Sequence, residues 1–308
     1  RAMRAACLLL MGILLGATGK AQALDVAACD TPGFEQVLHK QSIHAPVDAR
    51  AYWLDRATLQ WPGVHGGGNY RLYYAPDAAI SAIPGQAVTG AKGHLLLSSL
   101  EVQLPAAIAT RFAFIGKGVK LSVAVQDLSR VPELLREQVV LVHEDADGKV
   151  LQATTVQLPG ALDDLYAAAE AEQALGAIPA ADKTDFKLWA PTARAVSLCL
   201  HAGGGSRAMA LEPTQHDDHT GIWAATFEKD LSGYYYTYLV EVFVPGVGMV
   251  RNRVTDPYSV SLTMDSLRSY VVDLGAPALK PEGWEQTAFP QKVAAQTDMS
   301  IYELHVRD

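Results

Sequence analysis

The acidic and histidine residues of this chain form few groups whose spacing could support catalysis or metal binding. The adjacent carboxylates Asp163 and Asp164 could act as an acid and a base, but they fall in the first turn of a predicted helix, where the helix dipole favours negative charge. The run from His216 to His219 reads His-Asp-Asp-His, which are metal-ligating residue types, yet it precedes a turn that enters a strand and no third ligand is near in sequence. We therefore predict a helix start, a solvated turn and no metal site.

The remaining polar motifs are predicted to shape turns. Asp256 stands before Pro257, where a carboxylate can accept hydrogen bonds from nearby backbone N–H groups. Two glycine triplets, 66–68 and 203–205, lack the Lys-Ser/Thr pair that completes a phosphate-binding loop. The sequence thus assigns no catalytic residue.

Aromatic side chains offer a different chemistry, because the apolar face of a sugar ring can stack on an exposed Trp or Tyr while polar neighbours hold its hydroxyl groups. Trp189, Trp223 and Tyr235 are the candidate carbohydrate-binding residues. Both Trp residues lie among apolar residues of predicted strands, so a core role is the favoured alternative for each. Side chains alternate along a strand, so Tyr235 must face away from Tyr234 and Tyr236, and one of these two faces is predicted to be core.

Composition limits the class of protein. The chain has 308 residues, of which 49% are hydrophobic and 19% charged, so two or three domains with real cores are expected and disorder is not. The formal net charge is −8, and no run of Lys and Arg occurs. Nucleic acid is therefore excluded as a partner, because its phosphates require a basic face.

Residues 32–158 are predicted to form one all-β domain. Short runs rich in strand formers alternate with Gly and Pro, at a spacing typical of a β-sandwich. Asp147-Gly148 separates two of these runs and predicts a hairpin, because this pair suits a turn with positive φ.

The pattern changes after residue 158. Residues 159–179 are rich in Ala and Leu with helical spacing, and are predicted to form a connector helix. Residues 180–275 again show strand patterning and are predicted to form a second β-sandwich. Residues 276–297 are rich in Pro and irregular, as expected for a linker between domains.

The N-terminal segment resembles an export signal. Positive charge precedes an apolar run and the small residues Ala-Gln-Ala, so residues 1–23 are predicted to be a signal peptide and the protein is predicted to be exported to the periplasm, medium or cell surface. The alternative is a lipoprotein modified at Cys29, and contact with a membrane is expected only in that case. Against it, Lys20 and Asp25 lie between the apolar run and the cysteine.

Three cysteines, Cys7, Cys29 and Cys199, show no metal-binding spacing and no disulfide framework. Cys7 lies in the predicted signal. We expect a buried Cys199 in a strand and an unpaired Cys29 near the mature N-terminus, with a disulfide between them as the alternative.

Several stretches taken together resemble pullulanase-type α-1,6-glucosidases, the starch-debranching members of glycoside hydrolase family 13. From residue 186 to 308 these are FKLWAPTARAVSLCL, TGIW, YYYTYLVEV, VTDPYSVSL, PEGW and IYELHVRD. Upstream, PVDARAYWLDRATLQWP and YRLYYAPDAAI resemble the second N-terminal domain of the same enzymes. The second sandwich is similar to carbohydrate-binding module family 48.

The resemblance implies that residues 298–308 are the first strand of a catalytic (β/α)8 barrel. The fold class is then all-β, with two immunoglobulin-like β-sandwich domains in tandem, joined by a short helix and followed by the opening strand of a truncated barrel. His305, Arg307 and Asp308 would lie behind the active-site face of that barrel and support it, because such sites lie at the carboxyl ends of the strands. The alternative is that these residues pair with neighbours in a purely structural role.

The resemblance also implies the chemistry. The whole protein is expected to cleave α-1,6 branch linkages in pullulan, amylopectin or limit dextrins by a retaining mechanism that uses two carboxylates. Both would lie beyond residue 308, so this chain alone is expected to be inactive and to need no cofactor, although relatives often bind calcium. Its partner would be an α-glucan derived from pullulan, starch or glycogen. The alternative is a non-catalytic surface or periplasmic α-glucan-binding protein of tandem sandwiches.

Overall fold

The computed structural model describes residues 24–172, 174–203, 205–287 and 293–305, and in these ranges the chain is mostly β-strand. Eighteen strands there form three sheets, and the helices are short. The strands are β1 (Glu35–Lys40), β2 (Ala51–Trp53), β3 (Thr58–Pro62), β4 (Asn69–Ala75), β5 (Gly93–Ser99), β6 (Gly118–Val123), β7 (Gln138–Glu144), β8 (Val150–Thr154), β9 (Val156–Gln157), β10 (Gly176–Pro179), β11 (Thr184–Trp189), β12 (Ala195–His201), β13 (Ala210–Pro213), β14 (Gln215–Asp217), β15 (Ile222–Phe227), β16 (Tyr235–Val244), β17 (Gly248–Val254) and β18 (Ser269–Tyr270). The α-helices are α1 (Ala106–Arg111), α2 (Val131–Leu134) and α3 (Pro159–Leu165), and 3₁₀ helices cover Val26–Asp30, Val125–Arg130, Ala167–Ala171, Met264–Ser266, Pro277–Leu279, Trp284–Gln286 and Gln296–Asp298. The predicted all-β class is confirmed.

The first sandwich is a single eight-stranded sheet in the order β8-β7-β4-β5-β6-β3-β2-β9. Its two end strands, β8 and β9, are separated in the chain only by Thr155, so the sheet must curl until its ends meet. Alternating residues of its strands then point into an enclosed core. Two indole rings, those of Trp53 and Trp61, are fully buried in it.

The predicted hairpin at Asp147-Gly148 is confirmed. It joins β7 and β8, which pair antiparallel, and Gly148 has a φ of +75°. The Asp145 carboxylate accepts hydrogen bonds from the backbone N–H groups of Asp147 and Lys149, at 3.0 and 2.8 Å. A glycine is favoured in this position because a side chain rarely adopts positive φ.

The second sandwich packs two sheets face to face. One has the order β10-β11-β15-β14, and the other has the order β1-β17-β16-β12-β13, with β18 also beside β16. Phe186 of β11 meets Tyr236 of β16 between the sheets, with ring centroids 5.0 Å apart. The core therefore lies between the sheets and includes Leu188, Val196, Leu198, Trp223 and Tyr238.

The predicted boundary of the first domain at residue 32 is wrong, because β1 belongs to the second sandwich. It pairs antiparallel with β17, from Glu35 opposite Asn252 to Lys40 opposite Gly248. The two strands approach closely where β17 begins: a Cβ atom at Gly248 would lie 2.0 Å from the carbonyl oxygen of His39. The first sandwich is thus inserted between two parts of the second.

The predicted connector helix over 159–179 is shorter than expected. It is helical from Pro159 to Leu165, continues as the 3₁₀ helix Ala167–Ala171, and is followed by β10. Strand β10 pairs along its whole length with β11, so 176–179 is part of the second sandwich. Strand β10 contains Gly176 and Pro179, which are poor helix formers, so the helix does not extend into it.

The dipole explanation for Asp163 and Asp164 is also wrong, because α3 begins at Pro159 and the two carboxylates lie in its later turns. Asp164 accepts hydrogen bonds from the backbone N–H and the Nε of Arg56, at 2.9 and 2.8 Å. Asp163 forms an ion pair with Arg111. Both carboxylates therefore attach α3 to the first sandwich.

Beyond β18, the described residues 271–287 and 293–305 carry 3₁₀ helices as their only regular elements. The predicted barrel strand is described as far as His305, and residues 299–305 carry no strand, with Ile301 and Tyr302 exposed at 88% and 85%. Arg307, Asp308 and the predicted signal peptide lie outside the described residues, so the roles expected of them stay predictions. In the part of the chain that is described, no helix is long and apolar enough to cross a membrane.

Candidate functional site

A cavity of about 140 Å³ opens on the outer face of the sheet that contains β12, β16 and β17. His201 ends β12, and Thr237 lies near the start of β16 on the same face. Arg253 comes from β17, and Arg268 directly precedes β18. The N-terminal segment closes one side with Cys29 and Phe34, and Leu267 completes the lining.

Two polar side-chain atoms in this cavity are buried without a hydrogen-bond partner. His201 and Thr237 are each 2% exposed, and neither the Nε2 of His201 nor the Oγ1 of Thr237 has a hydrogen-bond partner in the structure. Buried polar groups are seldom left unpaired, because each costs about 1–3 kcal/mol. These two atoms therefore mark a place where water or a ligand is expected.

The hydrogen-bonding character of the histidine follows from its other nitrogen. The Nδ1 of His201 lies 3.4 Å from the carbonyl oxygen of Ser206, which can only accept, so the proton belongs on Nδ1 and Nε2 is an acceptor. Burial, followed by the nearby charge of Arg268, lowers the pKa of His201, which favours this neutral form.

Arg253 and Arg268 supply hydrogen-bond donors to the same cavity. Arg253 Nη1 donates to the carbonyl oxygen of Cys29 at 2.9 Å and its guanidinium lies 5.4 Å from the ring of Phe34. Arg268 Nη1 donates to the carbonyl oxygen of Gly203 at 3.1 Å. Each guanidinium has five N–H donors, so the cavity combines donors with the histidine acceptor and a hydroxyl. That combination suits a ligand whose hydroxyl groups both donate and accept.

The expectation of unpaired cysteines is wrong: Cys29 and Cys199 form a disulfide, and both residues are fully buried. They pack with Leu239 on the outer face of the sheet. The Asp30 carboxylate accepts from the backbone N–H of Ala208 at 3.0 Å, which adds a second attachment. Lipidation of Cys29 is untested and stays a prediction, but its sulfur cannot carry a lipid while it is bonded to Cys199.

The three predicted sugar-binding residues are not brought together. Trp223 is 7% exposed in the core, where its indole Nε1 donates to the carbonyl oxygen of Ala190 at 3.0 Å. Trp189 is half-buried, and its Nε1 donates to the carbonyl oxygen of Thr220 at 2.9 Å. Trp223 therefore has the core role, and the indole N–H group of each Trp residue stabilises a turn by a hydrogen bond to its backbone.

Tyr235 lies apart from the two Trp residues and close to the cavity. It is directly opposite His201 across the strand pair, and its ring packs on Tyr270 with centroids 4.9 Å apart. Tyr236 is buried in the core, so the predicted alternation along β16 is confirmed. Of the three candidates, Tyr235 is the one placed where it could contact a ligand of the cavity.

The solvated turn predicted at His216 to His219 is correct only for its second half. Asp218 and His219 lie in an exposed turn, whereas His216 and Asp217 belong to β14, and the His216 ring is half-buried with its centroid 4.5 Å from that of Trp223. Asp217 accepts from the backbone N–H of His219 at 2.9 Å and from the Thr220 hydroxyl at 2.7 Å. Among the described residues, no group of three or more His, Cys, Asp or Glu side chains is arranged to hold a metal ion.

Asp256 has the predicted turn role and a further one. Its Oδ1 accepts from the backbone N–H of Tyr258 at 2.8 Å, and its Oδ2 accepts from the Tyr236 hydroxyl at 2.9 Å. Burial raises the pKa of the Asp256 carboxyl, and these hydrogen bonds oppose that rise. The carboxylate thus joins a loop to the core and is not free for catalysis.

The cavity residues were not foreseen from the sequence. Its two unpaired atoms belong to single polar residues within apolar strands, His201 after VSLCL and Thr237 within YYYTYLV. A polar residue within an otherwise apolar strand is the feature of the sequence that could have indicated this cavity. The arginines are separated from them in sequence, and the pairing of β12, β17 and β18 with β16 brings the four together.

Comparison with known proteins agrees with this two-sandwich architecture. Residues 48–164 match the pullulanase N2 domain, and residues 174–259 match carbohydrate-binding module 48, the isoamylase N-terminal domain. A pullulanase of Klebsiella pneumoniae is 33% identical over 84% of this chain and 24% of its own length. Chloroplastic pullulanase 1 of Arabidopsis thaliana is 31% identical over 88% of this chain and 28% of its own length.

Solved structures give the same result. The crystal structure of a Klebsiella pneumoniae pullulanase mutant in complex with maltotriose matches with a TM-score of 0.71 and 32% identity, over 82% of this chain and 27% of that chain. A Klebsiella oxytoca structure matches with the same TM-score over 80% of this chain and 23% of that chain. The chain thus spans about a quarter of the length of these relatives. It belongs to the N-terminal region of the pullulanase family, as a pullulanase N2 domain followed by a carbohydrate-binding module 48.

Proposed function

We propose that this chain is the accessory, substrate-holding part of an exported glycoside hydrolase that cleaves α-1,6 branch linkages in α-glucans. The observation that carries the proposal is the similarity of both sandwiches, in one order, to pullulanases at 31–33% identity. Hydrolysis by the retaining route needs two carboxylates about 5 Å apart. These are proposed to lie outside this chain, in a barrel that begins near residue 298.

The buried carboxylates support this division of labour. Glu144 and Asp256 are the buried acidic residues of the described ranges, and they lie in different sandwiches. Glu144 is held by Arg71 and by the Tyr73 hydroxyl, and Asp256 is held by Tyr236. Each is committed to a structural contact and has no second carboxylate as a partner.

The cavity of the second sandwich is proposed to contact the glucan. A glucosyl residue presents several hydroxyl groups, and the neutral His201 acceptor, the Thr237 hydroxyl and the two guanidiniums match them in hydrogen-bonding type. At about 30 Å³ per water, the cavity has room for about five waters or for one sugar ring. Tyr235 stands beside it with its ring half-exposed.

Export is proposed on separate grounds. A buried disulfide forms and persists in oxidising compartments and is uncommon in the cytosol of mesophiles. The Cys29–Cys199 pairing therefore supports delivery to the periplasm, the cell surface or the medium.

Hydrolysis of pullulan tests the proposed activity. We expect no release of reducing ends by the purified 308-residue chain, and release by a protein extended through the downstream reading frame. An extended protein that binds glucan without cleaving it would favour the alternative, a non-catalytic glucan-binding protein. Cleavage by the chain itself would place catalytic residues within it and contradict the proposal.

Sugar contact at the cavity is tested by substitution. We expect maltoheptaose to shift the NMR signals of His201, and Thr237→Val to remove that shift. Thr226→Val is the matched control, since Thr226 is exposed on a strand of the opposite sheet. An unchanged His201 signal at saturating sugar would show that the cavity holds only water.

A further inference from the structure

A second groove lies on the outer face of the first sandwich, away from the cavity described above. It runs between the sheet and the segment 100–117, which includes α1. No residue of α1 is buried, so this helix stands clear of the sheet. The resulting groove measures about 490 Å³, and its lining includes Gln60, His65, Gln103, Leu104, Lys117 and Lys120.

The groove is fixed in place by contacts at both ends of this segment. The Nε2 of Gln60 donates to the carbonyl oxygen of Gly116 at 2.8 Å. The backbone N–H of Leu100 donates to the carbonyl oxygen of Lys120 at 2.8 Å, and Lys120 Nζ donates to the carbonyl oxygen of Val102. These contacts hold both ends of the segment beside the sheet before anything binds, which lowers the entropic cost of association.

An aromatic platform, formed by Tyr52, Phe112 and Phe114, adjoins the groove. Phe114 is 72% exposed, and its ring centroid lies 6.1 Å from that of Tyr52 and 6.1 Å from that of Phe112. Tyr52 is directly opposite Gln60 in the strand register, and Gln60 is opposite Lys120. Platform and groove thus form one surface that crosses β2, β3 and β6.

We propose that this surface is an α-glucan contact site of the first sandwich, which rests on the proposed function of the chain. Amide and ammonium groups line the groove, and the exposed ring of Phe114 stands at its edge beside the half-buried rings of Tyr52 and Phe112. A glucan chain presents both matching features, because its hydroxyl groups donate and accept while the faces of its rings are apolar. At about 30 Å³ per water the groove has the volume of roughly 16 waters, several times that needed for a single ring.

A protein partner fits this surface less well. Covering the platform with protein would also bury the Arg111–Asp163 ion pair, whose guanidinium lies 5.1 Å from the Phe112 ring, together with the exposed Lys117. Burying charges costs energy unless they find new partners. A glucan is neutral and carries hydroxyl groups, so it can lie over the same charged side chains and leave them hydrated.

The test is an NMR titration of the 308-residue chain with maltoheptaose, followed on aromatic ring and side-chain amide signals. We expect shifts at Phe114, Tyr52 and Gln60, and a dissociation constant at this site about fivefold or more weaker in Phe114→Ala, equivalent to about 1 kcal/mol. Trp284→Ala is the control, because Trp284 is an exposed ring at 58% in the segment after β18. Thr237→Val, which alters the cavity of the second sandwich, should leave the Phe114 shifts unchanged.

Three results would overturn the inference. If sugar-dependent shifts are confined to the second sandwich, the groove does not bind glucan, and the proposed function of the chain is unaffected. If no signal of the chain shifts with sugar, neither the cavity nor the groove binds glucan. The proposed hydrolytic activity of the extended protein would still be tested separately by the pullulan assay. Finally, a chain that sediments as a dimer, with Phe114→Ala monomeric and no sugar-dependent shifts, would make the platform an interface between copies.

Discussion

Reduction of the Cys29–Cys199 disulfide is expected to destabilise the second sandwich and to leave the first one folded. The bond joins the N-terminal segment to the middle of β12 across 170 positions of sequence. A crosslink stabilises a fold mainly by restricting the unfolded chain, and the effect grows with the length of the loop that it closes. The first sandwich lies within this loop but depends on its own core.

The size of the effect depends on whether the first sandwich stays folded when the second unfolds. A flexible loop of about 170 residues would give a stabilisation of about 5 kcal/mol from loop entropy. If the first sandwich stays folded, it spans most of that loop as a rigid body, and the remaining flexible part of about 50 residues corresponds to about 4 kcal/mol. With a urea m-value of about 2 kcal/mol/M for a domain of this size, the midpoint of the second sandwich should fall by roughly 2 M on reduction.

Hydrogen exchange read by mass spectrometry separates the two domains, since peptides from β12 and β16 report on the second sandwich and peptides from β4 and β7 on the first. The urea midpoint of each set is compared with and without a dithiol reductant. The double variant Cys29→Ser/Cys199→Ser is the control, and its midpoints should not respond to reductant. Equal midpoints for the oxidised and reduced chain would refute the loop-entropy reasoning, and equal shifts in both domains would show that they unfold as one unit.

Two further predictions concern buried charge. Glu144→Gln should cost about 3–5 kcal/mol in the urea-unfolding free energy of the first sandwich, because it leaves the partly buried Arg71 without its carboxylate partner, and Glu101→Gln at an exposed position should cost little. Burial and the charge of Arg136 lower the pKa of His216, so the unfolded chain takes up a proton there more readily than the folded chain and stability should fall as the pH drops below 6.5. His216→Asn should reduce this loss between pH 7 and 5 in thermal melts, and a variant with an unchanged pH slope would show that His216 does not contribute.

Local patterns predicted the features that depend on neighbouring residues. Period-two alternation identified both all-β domains, and the turn preference of Asp147-Gly148 located a hairpin. Alternation along β16 also placed Tyr235 and Tyr236 on opposite faces, as the structure has them. Each of these features is decided by sterics and side-chain direction within a few residues, which a sequence displays directly.

Features that depend on distant partners could not be predicted in the same way. Strand β1 is exposed at five of its six positions, so its sequence carries no alternation that would identify a sheet or a partner. Its partner, β17, begins more than 200 residues later. The disulfide was expected only as an alternative and the cavity was missed for the same reason, because both require β1 and the segment before it to lie against the second sandwich.

The cavity of the second sandwich is therefore a product of the insertion of one domain into another. Its lining comes from residues 29–34, from the ends of β12 and β17, from the start of β16, and from residues 267–268. The first sandwich separates the first of these from the rest in the chain. Pairing of β1 with β17 and the Cys29–Cys199 bond hold the N-terminal wall in place. A lipid on Cys29 would require that bond to be absent. Attachment to a membrane through this residue and a covalently closed cavity are consequently exclusive states of the same chain.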